Sequence, residues 1–95
     1  MKNGEIAKVF EDIARLLERK GDNPFKIRAY HRVARSIEDL PVEIELLVAG
    51  DRLQEVPGVG EAISRKITEL VTTSRLGFYE RLKSEFPEEE TGAND

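Results

Sequence analysis

Two glycines next to a helix start are the residues of this chain best suited to bind an anion. They lie in the bend Pro57-Gly58-Val59-Gly60, between two segments whose apolar residues recur at helical spacing. Proline fixes φ in such a bend, and glycine accepts backbone conformations and close contacts that larger residues do not. We therefore expect the backbone N–H groups at Gly58, Val59 and Gly60 to point outward, beside the positive end of the next helix. A phosphate group fits that arrangement.

The bend and its flanking segments, residues 53–70, together form a helix-hairpin-helix motif. Contacts to phosphate oxygens hold a strand without reading base edges, so the motif predicts DNA binding that does not depend on base sequence. Some motifs of this class also hold a monovalent cation, Na⁺ or K⁺, and by analogy its ligands here are the carbonyls of Gln54, Val56 and Val59. We expect no other cofactor and no metal bound by side chains. The bend also fits a purely structural turn, because glycine and proline interrupt any helical protein.

A second feature suited to nucleic acid is a run of four basic residues with no acid between them. These are Lys26, Arg28, Arg32 and Arg35. At 100° per residue the three arginines fall on one side of a helix, opposite its apolar positions. The net charge of −4 comes from the C-terminal end, because residues 1–86 hold equal numbers of acidic and basic side chains. Binding follows the local patch more than the total charge, so we expect this stripe, with Lys66 and Arg75, to follow a DNA backbone.

The spacing of apolar residues predicts an all-α fold, a compact bundle of four to five short helices that contains the hairpin motif. The expected helices span residues 3–20, 24–40, 42–49, 61–73 and 78–85. Asn3 is expected to be the N-cap of the first helix, Gly21 to end it, and Pro24 to open the second. No segment shows the alternation of apolar and polar residues that is typical of a strand.

The composition excludes several classes of protein. The chain of 95 residues has no cysteine, which excludes disulfides, a thiol nucleophile and a cysteine zinc site. No apolar run approaches the roughly 18 residues of a membrane span, and the start lacks the apolar stretch of a signal peptide, so we expect a cytoplasmic protein without membrane contact. The length fits one domain, which we place at residues 1–87, followed by an acidic, disordered tail at 88–95.

Two sequence blocks, residues 23–41 and 53–76, together with residues 78–87, resemble the N-terminal domain of family X DNA polymerases. The resemblance is to the polymerase beta-like group, especially its bacterial and archaeal form. It implies a monomeric domain that grips the 5′ side of a DNA gap during base excision repair, near the nucleoid, with further polymerase domains in a full-length parent. Nucleotidyl transfer itself needs a Gly-Ser signature and an Asp-x-Asp pair, and this chain contains neither.

Some members of this family also cleave a 5′-deoxyribose phosphate through a lysine Schiff base. The resemblance places that nucleophile on Lys66, the tyrosine beside it on Tyr30, and a phosphate-contacting lysine on Lys26. Reasoned from helical spacing alone, Lys66 lies beside an apolar stripe and equally fits a lysine that covers apolar surface.

The chain departs from the animal enzymes at three positions of the 5′-phosphate pocket. Two lysines of that pocket fall on Ala62 and Phe78, and a histidine falls on Phe25. A pocket without those cations holds a 5′-phosphate less firmly. Three functions therefore stay open, namely a DNA-binding module, a 5′-deoxyribose-phosphate lyase at Lys66, and a helical bundle whose arginine stripe binds an acidic protein.

Overall fold

Five α-helices and one 3₁₀ turn make up the computed structural model, which describes residues 1–88. They are α1 (Asn3–Lys20), α2 (Pro24–Glu38), α3 (Ile44–Ala49), the 3₁₀ turn Leu53–Glu55, α4 (Glu61–Thr73) and α5 (Gly77–Ser84). The described residues contain no strand, and the predicted all-α fold is confirmed. No helix among them has both the length and the apolar character needed to cross a membrane. The predicted acidic tail lies outside the described residues, except for Glu88.

The core is built around the pair α1 and α2. The inner face of α1 is fully buried at three- and four-residue steps, as at Ile6, Phe10 and Ile13. Phe10 stacks on Tyr30, with 6.1 Å between the ring centroids, which places the middle of α1 against the middle of α2. Burying each such side chain contributes about 1.5–3 kcal/mol, so this face holds the bundle together. The other three helices add buried residues to the same core, among them Ile44, Ile67 and Leu82.

The connection between α1 and α2 forms as its residue types predict. Gly21 ends α1 in the left-handed conformation, with φ of 79°, which costs a glycine little. The side chain of Asn23 accepts a hydrogen bond from the Phe25 N–H at 2.8 Å, and Pro24 occupies the first helical position. The Gly21 conformation ends α1, and the Asn23–Pro24 pair starts α2. Together they position α2 and its arginines beside α1.

Several predicted helix ends are wrong, among them the start of α3, which lies at Ile44 and not at Val42. Asn3 does not cap α1, because it is the first helical residue and its side chain reaches the start of α3 instead. Its Oδ1 accepts a hydrogen bond from the Ile44 N–H at 2.8 Å, and its Nδ2 donates to the Val42 carbonyl at 2.8 Å. Helix α2 ends at Glu38 and not at Leu40, since a residue that precedes proline is disfavoured in helical conformation.

The Asn3 bridge provides a test of how α3 is held. We expect Asn3→Ala to lower the free energy of unfolding by about 1–3 kcal/mol, because it leaves the partly buried Ile44 N–H without a partner. Asn3→Asp keeps the acceptor for Ile44 and should destabilise the protein less. Urea unfolding followed by circular dichroism measures both. An unchanged unfolding midpoint and slope for Asn3→Ala would show that the bridge contributes nothing.

Candidate nucleic-acid interface

The bend is a type II β-turn. The Val59 N–H donates to the Val56 carbonyl at 3.1 Å, with Pro57 and Gly58 at the two central positions. Gly58 has φ of 89°, the left-handed value that this turn requires and that glycine adopts without strain. Leu53 and Val56 are buried on the core side of the turn, and Val59 is half-buried against the core. The sequence therefore positions the bend by burying the apolar residues on either side of the two exposed glycines.

One predicted anion-binding amide is corrected by this turn, because the Val59 N–H is used inside it. The amides of Gly58 and Gly60 donate to no acceptor within residues 1–88. Gly60 is the N-cap of α4 and has no side chain that could cap the helix, so the first amides of α4, at Glu61 and Ala62, also lack an intrahelical acceptor. The available donors thus lie on either side of Val59, and most of them belong to the start of α4.

Arg32 joins the arginine stripe of α2 to this bend. A Cβ built on Gly58 would lie 3.2 Å from Cδ, 3.3 Å from Cγ and 3.4 Å from Nε of Arg32. The arginine side chain therefore occupies the space beside Gly58 that a Cβ would approach. Arg28, Arg32 and Arg35 are all exposed, whereas Val33 and Ile37 are buried on the opposite side of α2. The predicted cationic face exists, and its middle arginine touches the hairpin.

The other predicted DNA-binding cations occupy different surroundings. Lys26 pairs with Asp22 at 3.6 Å, and the Arg28 guanidinium lies 4.8 Å from the centre of the exposed Phe25 ring. Arg35 lines a shallow groove that includes acidic residues of α1 and α2. Arg75 follows the C-terminus of α4, about 20 Å from the hairpin at 1.5 Å per helical residue. A single phosphate therefore cannot contact Arg75 and the bend together.

Lys66 is half-buried against an aromatic ring. Its Nζ lies 4.8 Å from the centre of Phe78, and the Lys26 Nζ lies 6.0 Å from the same ring. Burial lowers the pKa of Lys66 below its usual range, and the charge of Lys26 lowers it further. Arg65 and Arg81 act in the same direction, whereas Glu69 opposes them. Lys66 thus has the environment of an activated amine, produced mainly by desolvation.

Tyr30, which the resemblance places beside the nucleophile, is buried in the core. It is 4% exposed and stacks on Phe78 with 6.1 Å between ring centroids and 9° between the planes. Burial raises the pKa of its hydroxyl, and the negative charge of Asp22 raises it further. Tyr30 therefore supports Phe78 from the core side, and the Phe78 ring is the aromatic surface next to Lys66.

Reasoning from sequence missed Arg81 of α5. This arginine lines the same shallow basin as Ala62, Lys66 and Phe78, a space of about 250 Å³. It follows Phe78 by three residues, a spacing that puts both on one side of a helix, and this was the available signal. The Arg81 charge lies near Lys66 only because α5 packs beside α4, which no local pattern reports.

The carbonyl groups proposed as cation ligands are free to take that role. The carbonyls of Gln54 and Val59 accept no hydrogen bond within residues 1–88, and that of Val56 accepts one, from Val59. A carbonyl oxygen has two lone pairs, so Val56 keeps one for a ligand. Oxygen ligands of this kind suit a hard monovalent cation. The donor set therefore fits the predicted Na⁺ or K⁺.

Comparison with known proteins shows the family of the chain. The family model described as a helix-hairpin-helix domain matches residues 1–76. The chain belongs to the helix-hairpin-helix domain family. It is 31% identical over 88 residues, 93% of its length, to the DNA polymerase/3′-5′ exonuclease PolX of Bacillus subtilis (strain 168). The predicted resemblance to the N-terminal domain of family X DNA polymerases is confirmed. The chain spans 15% of the length of that relative.

The lowered pKa of Lys66 can be measured site by site. We expect NMR titration of the lysine side chains to place the pKa of Lys66 below the usual lysine value of about 10.4. Lys26→Gln should raise it towards that value, because the neighbouring positive charge is removed. Lys2→Gln removes the same charge from the start of α1 and serves as the control. A Lys66 pKa that responds equally to both substitutions would mean that Lys26 exerts no specific effect.

Proposed function

We propose that this domain binds the sugar-phosphate backbone of DNA without sequence preference, on the 5′ side of a gap. The observation that carries the proposal is the contact between Arg32 and Gly58, because it makes the arginine stripe and the hairpin one continuous surface. A phosphate at the amides of Gly58, Gly60 and the first turn of α4 would lie next to the Arg32 guanidinium. Backbone amides and a guanidinium both favour an anion at this place.

Such contacts give weak binding, and because only a few phosphates are neutralised, the affinity depends on salt with a shallow slope. The contacts are made to phosphate oxygens, which are the same for every base sequence, so binding does not depend on the sequence. If about three phosphates are neutralised, the slope of log affinity against log salt is about −2.7, and the affinity is micromolar or weaker. The family match and the similarity to a DNA polymerase support DNA as the source of the phosphates.

We extend the proposal to a bound cation, to the parent protein and to the cellular process. The cation rests on the free carbonyls, and the other two rest on the similarity to the polymerase. A monovalent cation at Gln54, Val56 and Val59 would bridge the bend to a phosphate. The domain would act as a monomer attached to polymerase domains in a longer parent, since it spans 15% of its relative. The domain would be located at the nucleoid in the cytoplasm. It would take part in base excision repair.

Gly60→Asp separates DNA binding from folding. A Cβ at Gly60 meets no atom within 4 Å, and its φ of −97° suits any residue. Aspartate is also a favoured N-cap, so α4 should keep or gain stability. The added carboxylate would face the bound phosphate, and we expect affinity for gapped DNA at low salt to fall at least about tenfold. Fluorescence anisotropy measures the affinity and thermal unfolding checks the fold.

Gly4→Asp is the matched control, since it adds the same charge in the first turn of α1, where a Cβ also meets nothing within 4 Å. It should retain binding close to that of the unchanged protein. Gly58→Asp is a poorer test, because strain at positive φ and a collision with Arg32 would disturb the turn itself. Equal affinities of Gly60→Asp and Gly4→Asp would exclude the hairpin as the phosphate contact.

Unchanged NMR signals of the Gly58 and Gly60 amides on adding DNA would favour the protein-binding alternative.

A second candidate function is the 5′-deoxyribose-phosphate lyase reaction, which the lowered pKa of Lys66 favours. The neutral amine adds to the C1′ aldehyde of the sugar and water leaves, which forms an iminium ion. Loss of the C2′ proton and cleavage of the C3′–O bond then release the sugar from the strand. A lysine with a lowered pKa offers more neutral amine at a given pH. The missing lysines at Ala62 and Phe78 make the phosphate of that sugar harder to hold.

Borohydride trapping tests this reaction directly. We expect hydride to reduce the iminium ion and to leave a covalent complex of the protein with DNA that carries an incised abasic site. Lys66→Ala should remove at least about nine-tenths of the complex, because the attacking amine is gone. Lys83→Ala is the matched control, since Lys83 also lies over an aromatic ring, 4.5 Å from the centre of Tyr79. Equal trapping by Lys66→Ala would show that another amine reacts.

A further inference from the structure

Large apolar side chains are exposed at two separate places within residues 1–88. Phe25 is 75% exposed in the first turn of α2, whereas Leu46 of α3 is 65% exposed and the nearby Val42 is 43% exposed. The Val42 carbonyl is bound by Asn3 at the start of α1. Phe25 follows the other end of α1, about 26 Å away at 1.5 Å per helical residue. Phe25 therefore cannot cover Val42 and Leu46 in the same molecule.

The surface around Val42 and Leu46 is acidic. Residues 36–51 contain five acidic side chains and no basic one. One of them, Glu45, pairs with the amino group of Met1 at 3.1 Å. The other four are exposed and form no ion pair within residues 1–88, and they are Glu38, Asp39, Glu43 and Asp51. We call these four carboxylates, with Val42 and Leu46, the acidic face. Its charges are free to pair with a cation from outside the molecule.

The surface around Phe25 has the opposite charge. Arg28 and Arg32 fall within about 60° of Phe25 at 100° per helical residue, so the three side chains share one side of α2. Neither arginine forms an ion pair within residues 1–88, and the Arg28 guanidinium lies 4.8 Å from the centre of the Phe25 ring. Lys26, by contrast, pairs with Asp22. We call Phe25, Arg28 and Arg32 the cationic face.

We propose that, in the absence of DNA, the cationic face of one copy of this domain binds the acidic face of a second copy. Each face combines exposed apolar surface with unpaired charges, and the charges of the two faces are opposite in sign, which favours their association. Because the two faces lie at different ends of the molecule, the contact is head-to-tail and leaves one free face on each copy. The inference goes beyond the proposed function, because it concerns the free protein. DNA would occupy Arg28 and Arg32 and leave the bound domain a monomer.

Concentration-dependent NMR spectra provide the first test. A contact between two small faces is weak, so we expect self-association in samples of about 0.05 to 1 mM at low salt. The amide signals of residues 25–32 and of residues 42–46 should then shift together as the protein concentration rises. Salt at about 0.5 M should remove most of the shift, because exposed charges are screened. Shifts in one face alone, or in neither, would overturn the inference.

Two variants that each remove one face test the head-to-tail arrangement. Leu46→Lys puts a cation on the acidic face, and Phe25→Glu puts an anion beside Arg28, in the first turn of a helix where acids are favoured. Each variant alone should self-associate at least about tenfold more weakly, because like charges then meet. A mixture of the two should still form a heterodimer, since each supplies the face that the other lacks. Thr72→Lys adds the charge of the first variant at an exposed position of α4 and should associate as the unchanged protein does.

Self-association of Phe25→Glu at the original strength, or a mixture that forms no heterodimer, would overturn the head-to-tail contact. Gapped DNA supplies the remaining comparison. Saturating DNA should cancel the concentration-dependent shifts of residues 42–46, because the cationic face is then occupied, and shifts that persist would overturn the shared use of that face. Binding of DNA without self-association would overturn this inference and leave the proposed function intact. Self-association without DNA binding would overturn the proposed function alone.

Discussion

The absent side chain at Gly58 is the constraint on which the rest of the surface depends. The type II turn needs positive φ at this position, and a Cβ there would lie 3.2 Å from Arg32 Cδ, closer than most such contacts. A larger residue would therefore strain the turn and require the arginine side chain to shift by a few tenths of an ångström. Because the turn uses the Val59 N–H internally, the free amides are those of the glycines and the start of α4. The same glycine therefore shapes the turn, frees the donors and brings a cation beside them.

A chain with a net charge of −4 can present a cationic surface because many of its charges are paired with one another. Arg65 pairs with Glu61, Lys20 with Glu85, and Arg52 with Glu55. Exposed pairs of this kind contribute only about 0–1 kcal/mol each, so their main effect is to neutralise the surface around them. Several basic side chains have no ion pair within residues 1–88. Among them are Arg32 on α2, Lys66 on α4 and Arg81 on α5. The positions of these cations, rather than the net charge of the chain, determine where an anion is attracted.

The sequence predicted what local interactions determine. Most helix positions, the left-handed Gly21, the start of α2 at Pro24 and the hairpin all follow from residues within a few positions of one another. The Asn3 side chain was misassigned because its partners lie 39 and 41 residues away. The Val59 N–H donates to the Val56 carbonyl inside the turn, which the residue types alone do not show. Arg81 was missed because its neighbours Ala62 and Lys66 belong to another helix. The part of the site that sequence could not predict is the part that tertiary packing assembles.

Phe78 shows how a change of residue type can preserve a chemical property by a different route. A lysine at this position would lower the pKa of Lys66 by repulsion between like charges. The phenyl ring lowers it by excluding water, although its face also attracts the ammonium group, which favours the charged form. Burial is the larger effect, and Lys26 adds to it. The ring is held by Tyr30, which stacks on Phe10 in the centre of α1. The reactivity of a surface lysine in α4 thus depends on an aromatic stack that begins in the core, so a change in packing at Phe10 can alter Lys66 without touching it.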